Sequence, residues 1–235
     1  MSFWEHLEEM RWVILKSLMA LIAGIAVVWN LAGPLFALFQ RPLDSLEGGI
    51  QLIQITPLEG FFVRFRLATV GGGLLASPFI LGFIWSFIAP GLTARERRVI
   101  WGALMIGLLF FFAGAVLGFM TLSVLLPVLT SFTMPGVDNN WSVNSYLGTC
   151  VHMMLALGVV FEVPVVLMVL VRLDILSSAF LRHGRPYAYV IAFILAAVLT
   201  PPDVITQIIV GLPLIAMFEL SLLFATWHER RKRLQ

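Results

Sequence analysis

Long apolar runs separated by short polar clusters set the pattern of this chain. The runs at 13–32, 61–88, 100–126, 146–171 and 204–226 each match or exceed the about 20 residues an apolar helix needs to cross a bilayer. A sixth run, 187–199, has 13 residues, and at 1.5 Å per residue it reaches roughly 20 Å against about 30 Å of hydrocarbon. The pattern predicts an all-α polytopic integral membrane protein with six transmembrane helices. The last two are expected to be short and to sit in a locally thinned bilayer, and residues 1–235 to form a single membrane domain. Gly33 and Pro34 are expected to end the first helix and Pro127 the third, with 36–56 and 128–144 as loops on one side. Glu162 and Pro164 interrupt the fourth run.

Composition removes the soluble alternatives. Of 235 residues, 60% are hydrophobic and 12% charged, where a soluble domain carries about 25% charged residues. The mean hydropathy is +0.98, and the short connections leave no room for a large extramembrane domain. If the amino terminus is cytoplasmic, 12 of the 15 Lys and Arg residues face the cytoplasm and only Arg41, Arg64 and Arg66 lie outside. The positive-inside rule therefore predicts cytoplasmic termini and an even number of crossings. Arg64 and Arg66, near the start of the second run, must snorkel or pair. The first ten residues hold no Lys or Arg, so the first run is expected to be a retained helix rather than a cleaved leader. The net charge of +2 comes from topology-setting residues, and no nucleic-acid partner is expected.

Little covalent chemistry is on offer. Cys150 is the single cysteine, neither CxxC nor HExxH occurs, and no metal or other cofactor is expected. The four histidines lie in four segments, no GxSxG, GxGxxG or phosphate loop is present, and no catalytic residue is expected. The unusual residues are acids. Ser2 and Glu5 fit a capping box that would start a helix near Phe3. Glu5, Glu9 and Trp12 then share a face, either as an acidic first turn favoured by the helix dipole or as a receptacle. Glu96 stands among Arg95, Arg97 and Arg98, either neutralised locally or joined with Glu9 in offering two carboxylates to an arriving cation. Guanidinium groups suit such a pair, because their planar forks bind carboxylates bidentately and lysine does not. Glu162, in mid-run, must face protein or water, while His152 and Glu219 lie nearer span ends. Thr200, Pro201, Pro202 and Asp203 read as a helix cap with Thr200 at the N-cap. Gln207 is a buried amide that should find a partner across helices. A proton- or ion-coupled small-solute transporter, with Glu162 and His152 on the pathway, is the alternative these residues allow.

Several stretches, taken in order, carry a resemblance. They are His6-Leu7 with Glu9-Met10-Arg11, Pro42, Thr56-Pro57-Leu58-Glu59 and Ser77-Pro78-Phe79-Ile80-Leu81. Phe87-Ile88-Ala89-Pro90-Gly91-Leu92 and Glu96-Arg97-Arg98 follow, then Phe161-Glu162-Val163-Pro164, Thr200-Pro201-Pro202-Asp203 with Gln207, and Pro213 with Phe218-Glu219. Together they resemble the TatC family across the whole chain. The resemblance implies the signal-recognition core subunit of the twin-arginine translocase, which exports folded proteins across the cell inner membrane using the proton-motive force. It implies that Glu9 and Glu96 receive the paired arginines of signal peptides, with Arg11 and Phe87 shaping the same cytoplasmic site. Glu162 and Gln207 would form the intramembrane site where single-span subunits of TatA or TatB type dock. Pro42, Pro78, Pro90, Pro164, Pro202 and Asp203 would be structural motif positions. Other TatC copies and membrane lipid are the further partners implied. The chain departs from the family pattern at Met10, where Leu is usual, and at Val13, where a second arginine is usual.

Overall fold

The computed structural model describes residues 3–44, 46, 50–134, 140–200 and 203–233. Its elements are α1 (Phe3–Asp44), β1 (Gln51–Ile53), α2 (Glu59–Ile88), α3 (Ala94–Ser131), β2 (Asn140–Ser142), α4 (Val143–Val160), α5 (Glu162–Arg172), α6 (Ser178–His183), α7 (Arg185–Leu199) and α8 (Val204–Arg233). Five helical stretches are long and apolar enough to cross a membrane, and α7 is a shorter apolar helix of 15 residues. Ser2, half of the expected capping box, lies outside the described residues.

Helix ends are where the sequence reading needs correction. α1 does not stop at Gly33 and Pro34 but continues to Asp44. Val28, Ala32, Phe39 and Leu43 are all buried, so one apolar face continues at helical spacing past the proline. Pro34 itself is exposed, and continued burial of that face outweighs the ladder bond it removes. α3 also passes an exposed Pro127 and ends one turn later at Ser131, after buried Leu122, Leu125 and Leu126 have anchored the turns before the proline. The fourth run is two helices, because α4 ends at Val160 and α5 begins at Glu162. Pro164 thereby falls in a first turn, where a missing N–H costs nothing. Shortness holds for α7 alone, since α8 has 30 residues.

The chain divides into two compact units. The first comprises residues 1–97 and 138–151, with α1 and α2 packed antiparallel. A Cβ on Gly24 would stand 2.4 Å from the Gly72 carbonyl oxygen, and one on Gly72 would stand 2.5 Å from the Ile25 nitrogen. Only glycine at both positions lets the two backbones touch. Beyond one end of this pair, β1 and β2 form a parallel ladder that matches Gln51 with Asn140 and Ile53 with Ser142, joining the two polar connections. Arg66 is paired as the sequence requires, donating to the Asn144 carbonyl at 2.8 Å. Arg64 lies over the Trp29 ring, 5.5 Å from its centroid. The Tyr146 hydroxyl donates to the Phe39 carbonyl at 2.5 Å.

The second unit comprises residues 98–137 and 152–235. Within it α3 runs against α4 and α5 on a glycine stripe. Cβ atoms at Gly114 and Gly118 would stand 2.5 Å and 2.7 Å from the carbonyl oxygens of Leu157 and Met153. Leu157, Phe161, Ala192, Ala196, Val210 and Leu214 form one buried cluster, and Val171, Leu181, Leu222 and Ala225 another. The Ser221 hydroxyl donates to the Pro164 carbonyl at 3.4 Å, while the Ser178 amide donates to Glu229 at 2.6 Å. α5 and α8 therefore run in the same direction.

Candidate functional site

Glu9, Arg11, Phe87 and Glu96 all belong to the first unit. On α1, Glu9 is half-buried and Arg11 exposed. Continuing the antiparallel register fifteen residues from the Gly24–Gly72 contact puts Glu9 level with Phe87, which is half-buried near the end of α2. A single 3₁₀ turn, Ala89–Gly91, follows. It holds Pro90, which is exposed beside the buried Ala89. The five steps from Ile88 to Thr93 reach at most about 17 Å, so the first turn of α3 starts close to that level. Thr93 precedes α3, and Glu96 sits in its first turn. The Thr93 amide and hydroxyl donate to Glu96 Oε2 at 2.9 Å and 2.8 Å, and the Glu96 amide approaches the Thr93 hydroxyl at 3.4 Å.

Thr93-Ala94-Arg95-Glu96 is thus a capping box, a signal that sequence reasoning applied to Ser2 and Glu5 and missed here. The Glu96 carboxylate is oriented by the helix start through Thr93. Among the described residues Oε1 accepts no hydrogen bond.

In the second unit Glu162 points at α3. A Cβ on the buried Gly107 would stand 2.7 Å from its Oε2. Glycine at 107 is what leaves room for the carboxyl. Gln207 finds the cross-helix partner expected of it, donating from Nε2 to the Phe193 carbonyl on α7 at 3.2 Å. It lies fourteen residues before Ser221, so it stands about 21 Å along α8 from the Pro164 contact beside Glu162. The two are at different levels and would meet a ligand only if it were long. His152 is exposed on α4. Glu219 is fully engaged, accepting from Arg185 at 2.6 Å and from the Tyr189 hydroxyl at 2.7 Å.

The motif positions explain themselves locally. Pro78, inside α2, denies a donor to the Leu74 carbonyl, and the Ser77 hydroxyl donates to that oxygen at 2.7 Å. Pro42 is buried near the end of α1. The α8 cap differs from the expectation of Thr200 at the N-cap. Asp203 fills that place, accepting from the Thr206 amide at 2.8 Å and from the Thr206 hydroxyl. Thr200 closes α7 instead, donating to the Ala196 carbonyl at 2.9 Å. Pro202 lies outside the described residues. Partial burial pushes the Asp203 carboxyl up, but hydrogen bonds from Thr206 and the Ile205 amide reverse this and hold it below the usual aspartate range.

One carboxylate escaped the sequence reading of roles altogether. Glu59 is 5% exposed. Its Oε2 accepts from the Ile55 and Thr56 amides at 2.7 Å and 3.3 Å. Its Oε1 accepts from the Asn144 amide at 2.8 Å and from the Ser142 hydroxyl. It ties the segment before α2 to the start of α4, across 83 to 85 residues of sequence.

Comparison with known proteins places the chain as a whole. The family described as Sec-independent protein translocase protein (TatC) matches residues 5–213. The Sec-independent protein translocase protein TatC of Carboxydothermus hydrogenoformans is 35% identical over 227 residues, which is 96% of this chain and 93% of that one. That of Deinococcus radiodurans is 36% identical over 229 residues, covering 94% and 84%. A crystal structure of the twin arginine translocase receptor TatC in DDM aligns with a TM-score of 0.75 at 30% identity, over 94% of this chain and 99% of that one.

Proposed function

Because this chain belongs to the TatC family of Sec-independent protein translocase components, we propose that it is the signal-recognition core subunit of a twin-arginine translocase in the cell inner membrane. It receives the consecutive arginines of a signal peptide on Glu9 and Glu96, with Arg11 and Phe87 bounding the same cytoplasmic site. Folded cargo is then exported at the expense of the proton-motive force. Six crossings, α7 included, leave both termini in the cytoplasm, as the distribution of Lys and Arg requires. Single-span subunits of TatA or TatB type dock along Glu162 and Gln207. A transmembrane helix of about 30 Å is long enough to pass both levels.

The observation that carries this reading is the capped geometry of Glu96, in which Thr93 fixes one carboxylate oxygen and the other accepts nothing among the described residues. The α1–α2 register supports it, since Glu9 falls level with the end of α2 from which the chain leads to Glu96. Paired arginines exploit such an arrangement, because each charge-assisted contact is worth roughly 1.5–3 kcal/mol. Equilibrium binding of a fluorescent twin-arginine peptide to the full chain in nanodiscs tests it. Changing both arginines to lysine, or Glu96→Gln in the protein, should raise Kd at least about tenfold, or about 1.4 kcal/mol. Equal binding of the lysine peptide would overturn the reading.

A further inference from the structure

Where α6 packs on the end of α8, a cavity of about 590 Å³ opens, and its lining includes Ser178, Arg182, His183, Thr226, Glu229 and Arg230. Signal recognition as proposed above does not use it. Three of these side chains are cations or become cations on protonation. Among the described residues the side chains of Arg182, His183 and Arg230 make no hydrogen bond or ion pair, and all three residues are exposed. The carboxylate is already committed, since Glu229 accepts from the Ser178 amide at 2.6 Å and from the Ser178 hydroxyl at 2.5 Å. Two contacts thus tie this carboxylate to the first residue of α6. Two arginines and a histidine outnumber that one carboxylate in the lining.

Its depth in the membrane can be read from its neighbours. The apolar stretch of α8 ends at Trp227, which is 49% exposed, and Arg231 lies over that ring, 3.9 Å from its centroid. An aromatic residue followed by basic ones marks the level of the headgroups. Phe180 on α6 is 65% exposed and Ile175 just before it 63%. The same short segment thus offers a cationic hollow and bare apolar side chains, the combination an amphiphile satisfies and a free anion does not.

We infer that this cavity is a binding site for the phosphodiester headgroup of an anionic phospholipid, with Arg182 and Arg230 as the principal phosphate ligands. His183 lines the same hollow as a further donor, while the Thr226 hydroxyl is already spent on the Leu223 carbonyl at 2.8 Å. The shared chemistry is a phosphate, and the lipid is the source the apolar neighbours favour. The test uses the full detergent-solubilised chain and native mass spectrometry, titrating dioctanoyl phosphatidylglycerol, dioctanoyl phosphatidylcholine and inorganic phosphate separately. Phosphatidylglycerol should bind at least about tenfold more tightly than either alternative. The double variant Arg182→Gln with Arg230→Gln should weaken it roughly 10- to 30-fold, given what each basic residue contributes at an anionic surface. Arg97→Gln with Arg98→Gln, which removes the same charge elsewhere, should leave it within about twofold. Both pairs are exposed, so unchanged thermal midpoints check that the folds are intact. Equal binding of the two lipids, equal binding of inorganic phosphate, or equal loss in the two double variants would overturn the site.

Discussion

At Glu96 two demands meet on one side chain, because the carboxylate that caps α3 through Thr93 is also the proposed ligand for an arginine. The roles use different oxygens and can be separated. Thr93→Val keeps the charge but removes the hydroxyl donor, so export of a twin-arginine reporter should fall by about three- to tenfold. Glu96→Gln should abolish export while leaving the protein inserted and abundant. Export rates compared at equal protein levels check both, and normal export in Glu96→Gln would contradict the assignment. At Glu162 the neighbour matters as much as the acid. Gly107→Ala would place a Cβ 2.7 Å from Oε2 and force the carboxyl aside. It should weaken co-purification of a single-span partner as much as Glu162→Gln does, without lowering yield. The capping role of Glu96 was legible as T-x-x-E but was masked by three adjacent arginines, which drew attention to local neutralisation. The role of Glu59 was not legible, because its partners Ser142 and Asn144 are distant in sequence and only the β1–β2 ladder brings them together.

Elements follow from the apolar runs, yet their ends follow from packing. The length of the apolar runs located every long helix, whereas the proline rule failed at Pro34 and Pro127. Both prolines are exposed; α1 keeps a buried face running past Pro34, while α3 runs only one turn beyond Pro127, from buried leucines just before it. The break at Phe161 is the converse case, since the acid and the proline there open a new helix. α1 and α2 depend on backbone contact at Gly24 and Gly72. Gly72→Ala should therefore destabilise the protein by about 1–3 kcal/mol, measured as denaturant unfolding in mixed micelles. Glu59→Gln leaves at least one amide or hydroxyl facing an NH2 group and should cost about 1–3 kcal/mol by the same measurement. Asp203 adds a pH signature. Its folded pKa is depressed, so the capping contribution is complete above the ordinary aspartate value of about 3.9 and is lost as pH falls through the lower folded value. Asp203→Asn should remove that acid-side dependence while lowering the thermal midpoint at neutral pH only slightly, because asparagine also caps.

For the whole molecule, the uneven placement of Lys and Arg predicts which connections face the cytoplasm, and packing has no part in that prediction. Native Cys150 is buried, so single introduced cysteines report topology cleanly. In intact cells a membrane-impermeant thiol reagent should label Gln54→Cys and spare Arg97→Cys, and the reverse pattern would invert the proposed orientation. The central claim is narrower than topology, since it holds that one short peptide touches α1 and the start of α3 together. The measurement that bears on it most directly is photocrosslinking of a twin-arginine peptide, with a photoreactive residue beside the arginine pair, to the full chain in membranes. Adducts mapped by mass spectrometry should fall both around Glu9 and around residues 93–97, and should vanish when the arginines are changed to lysines. Adducts on only one of the two segments, or labelling indifferent to the lysine change, would contradict it.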